Sequence, residues 1–158
     1  HPIPRRQRQM CIRDRLFVEG VVGERFAVRN SGCIAVVEGS GDHACEYMTG
    51  GAVIFLGKVG NNFGAGMTGG LSFVYDDNQM LDSNINAESV ELVKIKPGKY
   101  RKHEEFIHKQ IKSHFAKTGS LRAKQILDNF CDEVKKFYII KPKSSNIDDL
   151  LVIINKAA

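Results

Sequence analysis

Two stretches decide the fold: Gly41-Asp-His-Ala-Cys-Glu-Tyr-Met-Thr-Gly-Gly51 and Gly60-Asn-Asn-Phe-Gly-Ala-Gly-Met-Thr-Gly-Gly70. They share Met-Thr-Gly-Gly, and in each the first glycine is followed by another nine positions later. Residues 23–32 have the same spacing, so three segments align, starting 18 and then 19 residues apart. A fixed period of this kind indicates a repeat architecture. The repeat is marked by six glycines, which we assign a structural role: Gly23, Gly32, Gly41, Gly50, Gly60 and Gly69.

The repeat predicts a parallel β-helix with coils of about 18–19 residues, because each unit has short β-rich runs and no room for a helix. Glycines are expected at the corners, where the chain visits positive φ or passes close to the next coil. Strand alternation places Ile34, Val36 and their equivalents on one face, which we expect to be the interior. Aligned positions should stack, Thr49 on Thr68 and Ile54 on Phe73. An antiparallel sandwich is the alternative, but its Asn-Gly or Asp-Gly hairpin turns do not occur in the sequence.

The C-terminal part has a different pattern, typical of helices. A final strand is predicted over 89–96 and a helix over 102–117, where apolar residues recur at helical spacing. Gly119 should end that helix and Ser120 should cap a second one over 121–136. A short run over 137–140 and a last helix capped by Asn146 follow. We therefore predict a mainly β fold, with a single-stranded parallel β-helix over 16–98 and a helical appendage over 99–158 that covers it.

Composition and charge describe an ordinary globular chain. It has 158 residues, 42% of them hydrophobic, and no apolar run long enough for a membrane span. Most of the net charge of +5 comes from residues 1–15, which contain five arginines and one aspartate. That segment resembles the translated read-through of a sequencing adapter, and we expect it to be a non-native or disordered basic tail. Nucleic acid and membranes are therefore not expected partners.

No residue pattern predicts chemistry. The four cysteines include no Cys-x-x-Cys, which argues against a zinc site or a disulfide framework and favours the cytoplasm. The glycines of residues 57–64 lack the Gly-Lys-Ser/Thr of a phosphate-binding loop. Residues 42–46 gather Asp, His, Cys and Glu, but Cys45 stands where the other repeats have Ala27 and Gly64, so a small residue in a tight coil is the better interpretation. His103, His108 and His114 are expected at a solvated or boundary face. We predict no catalytic, cofactor-binding or metal-binding residue.

Three stretches of the sequence and a helical motif resemble one family. The stretches are residues 23–32, 37–51 and 62–70, and the motif is Thr118-Gly-Ser-Leu-Arg-Ala-Lys124. Over residues 16–143 the chain resembles the C-terminal glycine-pattern (GXGXG) domain of the glutamate synthase large chain. Ala44 departs from the glycine usual there, and the sequence after Lys143 departs from the family's tail. The upstream coils of the family's β-helix are expected to be missing, so the β-helix over 16–98 is expected to be incomplete.

The resemblance implies a function. In that family the domain is a non-catalytic, right-handed β-helix beside the ammonia tunnel, linking the glutaminase and FMN-binding domains of an oxidoreductase that makes glutamate. FMN and the iron–sulfur cluster belong to other domains, so this segment is expected to bind neither. A small electron-donating subunit is a further candidate partner.

Two other functions are compatible with a solenoid. One is a free-standing GXGXG interaction subunit, similar to that in formylmethanofuran dehydrogenase; the motif at 118–124 favours glutamate synthase. The other is a hexapeptide-repeat acyltransferase, because 18 residues is also the coil length of a left-handed β-helix. That class needs a small aliphatic-led hexad three times per coil and a histidine in a protruding loop, and the sequence has neither.

Overall fold

A computed structural model describes residues 15–76, 81–96 and 98–157. The sequence prediction for residues 1–14 lies outside these ranges, and the first strand begins at Arg15, one residue inside the segment predicted as a tail. The strands are β1 (Arg15–Phe17), β2 (Ser31–Val37), β3 (Thr49–Phe55), β4 (Gly69–Tyr75), β5 (Val90–Lys94) and β6 (Phe137–Pro142). The α-helices are α1 (Arg101–Thr118), α2 (Leu121–Asp128), α3 (Phe130–Glu133) and α4 (Ile147–Ala157), with 3-10 turns at Leu81–Ser83 and Val134–Lys136.

The first four strands stack in parallel, one per coil, which confirms the predicted β-solenoid. Val36 pairs with Ile54, and Ile54 pairs with Phe73, in the register that the repeat predicts. Because β2, β3 and β4 are equivalent parts of successive coils, about three coils are formed. The predicted stacking of Ile54 on Phe73 is therefore confirmed.

The predicted stacking of Thr49 on Thr68 is wrong by one residue, because the pairing of β2 with β3 and of β3 with β4 is interrupted by a β-bulge where the strands begin. Thr49 lies opposite Gly69 rather than Thr68, and the register shifts between Thr49 and Ala52. The amides of Thr68 and Gly69 both donate to the carbonyl of Met48, at 3.0 and 3.2 Å. Two consecutive donors on one acceptor are the mark of a bulge, which displaces the threonine row by one position.

The sheet is buried on both faces, so the molecule has two cores. Ile34, Val36, Ile54 and Phe73 do lie on one face, as predicted, but that face packs against the helices rather than lining the solenoid interior. The interior is formed by the alternate strand residues together with apolar residues of the opposite wall: Ala35, Val37, Val53, Phe55 and Val74 from the strands, and Phe26, Met48, Phe63 and Met67 from the wall. Our assignment of Ile34 and Val36 to the interior is therefore corrected.

The C-terminal segment contributes a strand as well as helices. β6 inserts antiparallel between β4 and β5, so the order is β1-β2-β3-β4-β6-β5 and the strand predicted over 89–96 does not stack on β4. The helix over 102–117 is confirmed, with Gly119 in the left-handed region at φ 69°. The helix predicted over 121–136 instead breaks at Asn129. In the described part of the chain, no helix is both long and apolar enough to cross a membrane.

Candidate functional site

The wall opposite the sheet is the most unusual feature of the chain, because every second residue in it is left-handed. We call residues 25–29, 43–47 and 62–66 the corner ladder. Its non-glycine members with φ between 54° and 64° are Arg25, Ala27, Arg29, His43, Cys45, Tyr47 and Asn62, and Gly64 and Gly66 complete the third rung. A left-handed non-glycine residue costs about 1–2 kcal/mol, so the surrounding structure must hold these conformations in place.

Backbone hydrogen bonds between successive rungs stabilise these left-handed conformations. The amide of Arg25 donates to the carbonyl of Asp42 at 2.8 Å, and the amide of Cys45 donates back to Phe26 at 2.8 Å. The next rung repeats the pattern, with Gly64 donating back to Ala44 at 2.9 Å. The first, third and fifth positions of each rung are therefore left-handed, and glycine occupies two of them in the third rung, at Gly64 and Gly66.

The side chains of residues 42–46, which the sequence offered as a possible reactive cluster, do not converge on one point. His43 and Glu46 point outward, where His43 Nδ1 lies 3.1 Å from Glu46 Oε2. Asn62 Nδ2 donates to Glu46 at 3.3 Å, and Asn86 Nδ2 donates to Asn62 at 2.9 Å, so a polar row crosses the coils. Among the described residues no group of three or more histidine, cysteine or acidic side chains is placed to hold a metal ion.

The Cys45 side chain points inward, and its thiol is expected to be unreactive. It is fully buried, and its Sγ lies 3.4 Å from the hydroxyl of Ser72. Burial raises the pKa of the Cys45 thiol to about 12, with the Ser72 hydrogen bond acting weakly in the opposite direction. Since the thiolate is the nucleophile and the metal ligand, Cys45 is unsuited to both tasks.

The cysteines do not fit an iron–sulfur cluster either. Such clusters need several cysteine ligands converging on one point. The described cysteines are distributed over different elements, Cys33 on β2, Cys45 in the corner ladder and Cys131 exposed on α3. This segment therefore offers no cluster site among its described residues.

A polar junction joins the solenoid to the helices. The carboxylate of Glu38, which directly follows β2, accepts a short hydrogen bond from the hydroxyl of Ser120. The same Ser120 oxygen caps α2 by accepting from the amide of Ala123 at 3.2 Å. His114 Nε2 on α1 lies 3.5 Å from Glu38, so one carboxylate contacts both helices.

His114 is wholly buried, contrary to our prediction of a solvated or boundary position, and His103 is also buried. Burial lowers the pKa of the His114 imidazole, and the hydrogen bond and charge of Glu38 oppose the shift in part. A neutral imidazole is therefore the form that the fold favours. His108 is exposed, as predicted.

Arg122 fastens the same motif at a second point. Its Nε donates to the carbonyl of Leu56 at 2.9 Å, and its guanidinium lies 4.8 Å from the centre of the Tyr75 ring. The Tyr75 hydroxyl donates to Glu133 in turn. The sequence predicted the cap at Ser120 but not these contacts, because Glu38 and Ser120 are 82 positions apart and no local pattern connects them.

The repeat glycines differ in what surrounds them. A Cβ at Gly69 would collide with the carbonyl oxygen of Thr49 in the preceding coil, and one at Gly50 would collide with that of Ser31. Gly60 abuts the backbone of Asp42, with its amide nitrogen 2.5 Å from such a Cβ. By contrast, a Cβ at Gly23 would meet nothing within 4 Å.

The family model described as the GXGXG motif matches residues 11–143. The chain belongs to the GXGXG motif family. Within that family it is similar to glutamate synthases over most of its length. It is 47% identical over 135 residues to the ferredoxin-dependent glutamate synthase of Pyropia yezoensis, covering 85% of this chain and 9% of the relative.

Two further relatives show the same pattern. The ferredoxin-dependent glutamate synthase 2 of Synechocystis sp. is 48% identical over 129 residues, covering 82% of this chain and 8% of the relative. The NADPH glutamate synthase large chain of Bacillus subtilis is 44% identical over 129 residues, covering 81% and 8% respectively. The chain is a GXGXG domain of the glutamate synthase type, and it spans less than a tenth of the length of these relatives.

Proposed function

We propose that this GXGXG domain acts as the structural support of a glutamate synthase. In this role it links the glutaminase domain to the FMN-binding domain and flanks the route that ammonia takes between them. The observation that carries the proposal is the 47% identity to a ferredoxin-dependent glutamate synthase over 85% of the chain. The reaction itself, oxidoreduction leading to glutamate, is assigned to the remainder of the larger protein.

The chemistry of the described residues is compatible with a supporting role. The Cys45 thiol, with a pKa of about 12, is a poor nucleophile for glutamine hydrolysis. FMN and the iron–sulfur cluster are assigned to other domains, as are their binding residues. This chain's contribution is then to hold neighbouring domains at a fixed separation.

The fold supplies the rigidity that such a role needs. The parallel strands are buried on both faces, and the helices cover one face of the sheet, fastened by Glu38 and Arg122. The corner ladder leaves its outer side uncovered among the described residues, with the Tyr47 side chain 57% exposed. We assign contacts with a neighbouring domain to that outer side.

The electron donor is assigned to a site outside this segment. Relatives named for ferredoxin and for NADPH are similar to the chain to nearly the same degree, 48% and 44% identity. A segment that recognised the donor would be expected to differ more between the two groups.

A chimeric enzyme tests the proposal. Residues 16–143 would replace the matching segment of the Bacillus subtilis large chain, which is 44% identical. Three quantities would be measured: FMN content, glutamine hydrolysis, and glutamate formed per glutamine hydrolysed. We expect the chimera to retain all three, and Gly69→Val to lower the yield of glutamate per glutamine while FMN remains bound. Gly23→Val, which introduces the same side chain at the open glycine, is the matched control and should change nothing.

Two results would contradict the proposal. Loss of FMN from a folded Gly69→Val chimera would assign flavin binding to this segment. An unchanged glutamate yield in a chimera whose solenoid is measurably destabilised would show that the domain does not couple the two reactions.

A further inference from the structure

Helix α1 carries two polar side chains, Gln110 and His114, on its buried face. They are 1% and 0% exposed, and they lie four positions apart, one turn along the same side of the helix. The His114 ring lies 6.0 Å from the Phe17 ring of β1, centre to centre, and its Nε2 lies 3.5 Å from the carboxylate of Glu38, which follows β2. The pair therefore belongs to the contact between α1 and the first two coils.

The contact with Glu38 determines which ring nitrogen of His114 carries the proton. Burial lowers the pKa of the His114 imidazole, which favours the neutral ring with a single N–H. An ionised carboxylate can only accept hydrogen bonds, so that N–H is at Nε2, which faces Glu38. Nδ1 then has a lone pair and accepts. It is therefore the same kind of hydrogen-bonding atom as the side-chain oxygen of Gln110.

Gln110 Oε1 and His114 Nδ1 receive no hydrogen bond from the described part of the chain, and both atoms are fully buried. Buried polar atoms in proteins are nearly always hydrogen-bonded, to protein or to ordered water, because an unpaired one has lost its hydration without compensation. Two acceptors cannot satisfy each other. They require a third group that donates two hydrogen bonds.

We propose that one internal water molecule binds between Gln110 Oε1 and His114 Nδ1 and donates a hydrogen bond to each. Water is a small molecule with two donors, and internal waters in proteins characteristically serve polar atoms that the chain leaves unpaired. An anion does not suit the site, because both atoms are acceptors and the Glu38 carboxylate lies beside them. The water orients the ring of His114, so that a hydrogen-bond chain runs from Gln110 through His114 and Glu38 to Ser120, the cap of α2.

Water-selective nuclear Overhauser spectra of the full 158-residue chain, labelled with ¹³C and ¹⁵N, test the proposal. We expect cross-peaks between the water resonance and two sets of protons that do not exchange with solvent, the γ-methylene protons of Gln110 and the ε1 ring proton of His114. Their sign should be that of a water molecule bound for longer than the chain takes to tumble. The ¹⁵N shifts of the His114 ring should show a neutral imidazole with its proton on Nε2.

Two substitutions remove one acceptor each. Gln110→Met nearly preserves the side-chain volume, and it should abolish the water cross-peak at His114 and raise the equilibrium constant for unfolding in urea about tenfold, because Nδ1 loses its partner. His114→Gln keeps an amide donor for Glu38 but has no acceptor in place of Nδ1. Since both changes release the same water, the double variant should be about as stable as the less stable single variant. The matched control is Gln125→Met, at an exposed position of α2, which should change neither the cross-peak nor the unfolding constant.

Several results would overturn the proposal. The first is the absence of a water cross-peak at His114 in the folded parent chain. The second is a cross-peak that persists in Gln110→Met, since it would then arise from an exchanging hydroxyl such as that of Ser120. Additive effects of the two substitutions would mean that no water is shared between them. A Gln110→Met variant more stable than the parent would show that Oε1 is an unpaired atom in a dry core.

Discussion

Replacing alanine by glycine should affect the stability of the chain differently at two positions of the corner ladder, Ala27 and Ala65. Ala27 is left-handed, with φ 61°, whereas Ala65 in the third rung is not among the residues with positive φ. Both side chains are half-buried. Ala27→Gly and Ala65→Gly therefore remove the same methyl group from half-buried positions that differ in backbone conformation. The methyl group of Ala27 also packs against the solenoid interior, so its removal costs at least as much packing as at Ala65.

The expected changes in the free energy of unfolding follow from this difference in backbone conformation. Glycine loses more conformational freedom on folding than alanine does, which costs about 0.5–1 kcal/mol at either position. At Ala27 the change also relieves about 1–2 kcal/mol of left-handed strain. Ala27→Gly should thus leave the free energy of unfolding unchanged or raise it by up to ~1 kcal/mol. Ala65→Gly should lower it by about 1 kcal/mol, once the partial loss of a buried methyl group is included.

Equilibrium unfolding in urea measures both variants against the parent chain. The difference between the two variants, about 1–2 kcal/mol, is the quantity of interest because the shared terms cancel. If Ala27→Gly is as destabilising as Ala65→Gly, the alternation of handedness in the corner ladder is refuted.

Three further predictions concern packing and pH. Gly69→Ala should lower the free energy of unfolding by about 1–3 kcal/mol, because the new methyl group meets the Thr49 carbonyl, whereas Gly23→Ala should change it little in the same urea assay. Ile54→Ala should cost about 2–5 kcal/mol, since Ile54 is fully buried beneath the helices. Burial lowers the pKa of His114 in the folded chain, so the unfolded chain binds the extra proton first, and stability should fall as the pH drops below about 6.5. His114→Gln should flatten that dependence in urea titrations repeated at several pH values.

Each of these three predictions would be contradicted by a particular result. Equal effects of alanine at Gly69 and Gly23 would mean that the coils are not in close contact at Gly69. A loss below ~0.5 kcal/mol for Ile54→Ala would place that side chain in solvent. A pH dependence that is unchanged in His114→Gln would mean that His114 is not buried in its neutral form.

The sequence predicted the coil but not which face of the sheet is the inside. A repeat of 18–19 residues fixes the pairing of Ile54 with Phe73, because equivalent residues of successive coils must lie side by side. The repeat does not distinguish the face of the sheet that lines the solenoid interior from the face that the helices cover. Residues on both faces of β3 and β4 are apolar, so alternate positions along these strands do not differ in polarity. The threonine row failed for a local reason, the bulge at Thr68 and Gly69, which shifts the register without changing the period.

The junction and the C-terminal segment were harder to predict. β6 was recognised only as a short apolar run, because pairing with β4 is a contact between residues more than 60 positions apart, such as Phe73 and Ile139. His114 was misplaced because a histidine on a lysine-rich helix gives no sign of burial. The corner ladder was not predicted, because the six glycines assigned from the sequence lie outside it and nothing in Arg25 or His43 predicts a left-handed residue.

The central claim is a stack of parallel coils closed by a wall of alternating handedness, and nuclear Overhauser effects in a ¹³C,¹⁵N-labelled sample test it most directly. The account predicts sequential-coil contacts between the backbones of Val36 and Ile54 and of Ile54 and Phe73 in the parallel pattern. It also predicts scalar couplings characteristic of positive φ at His43, Cys45 and Tyr47. Antiparallel α-proton contacts between these strands, or negative φ at those three residues, would contradict it.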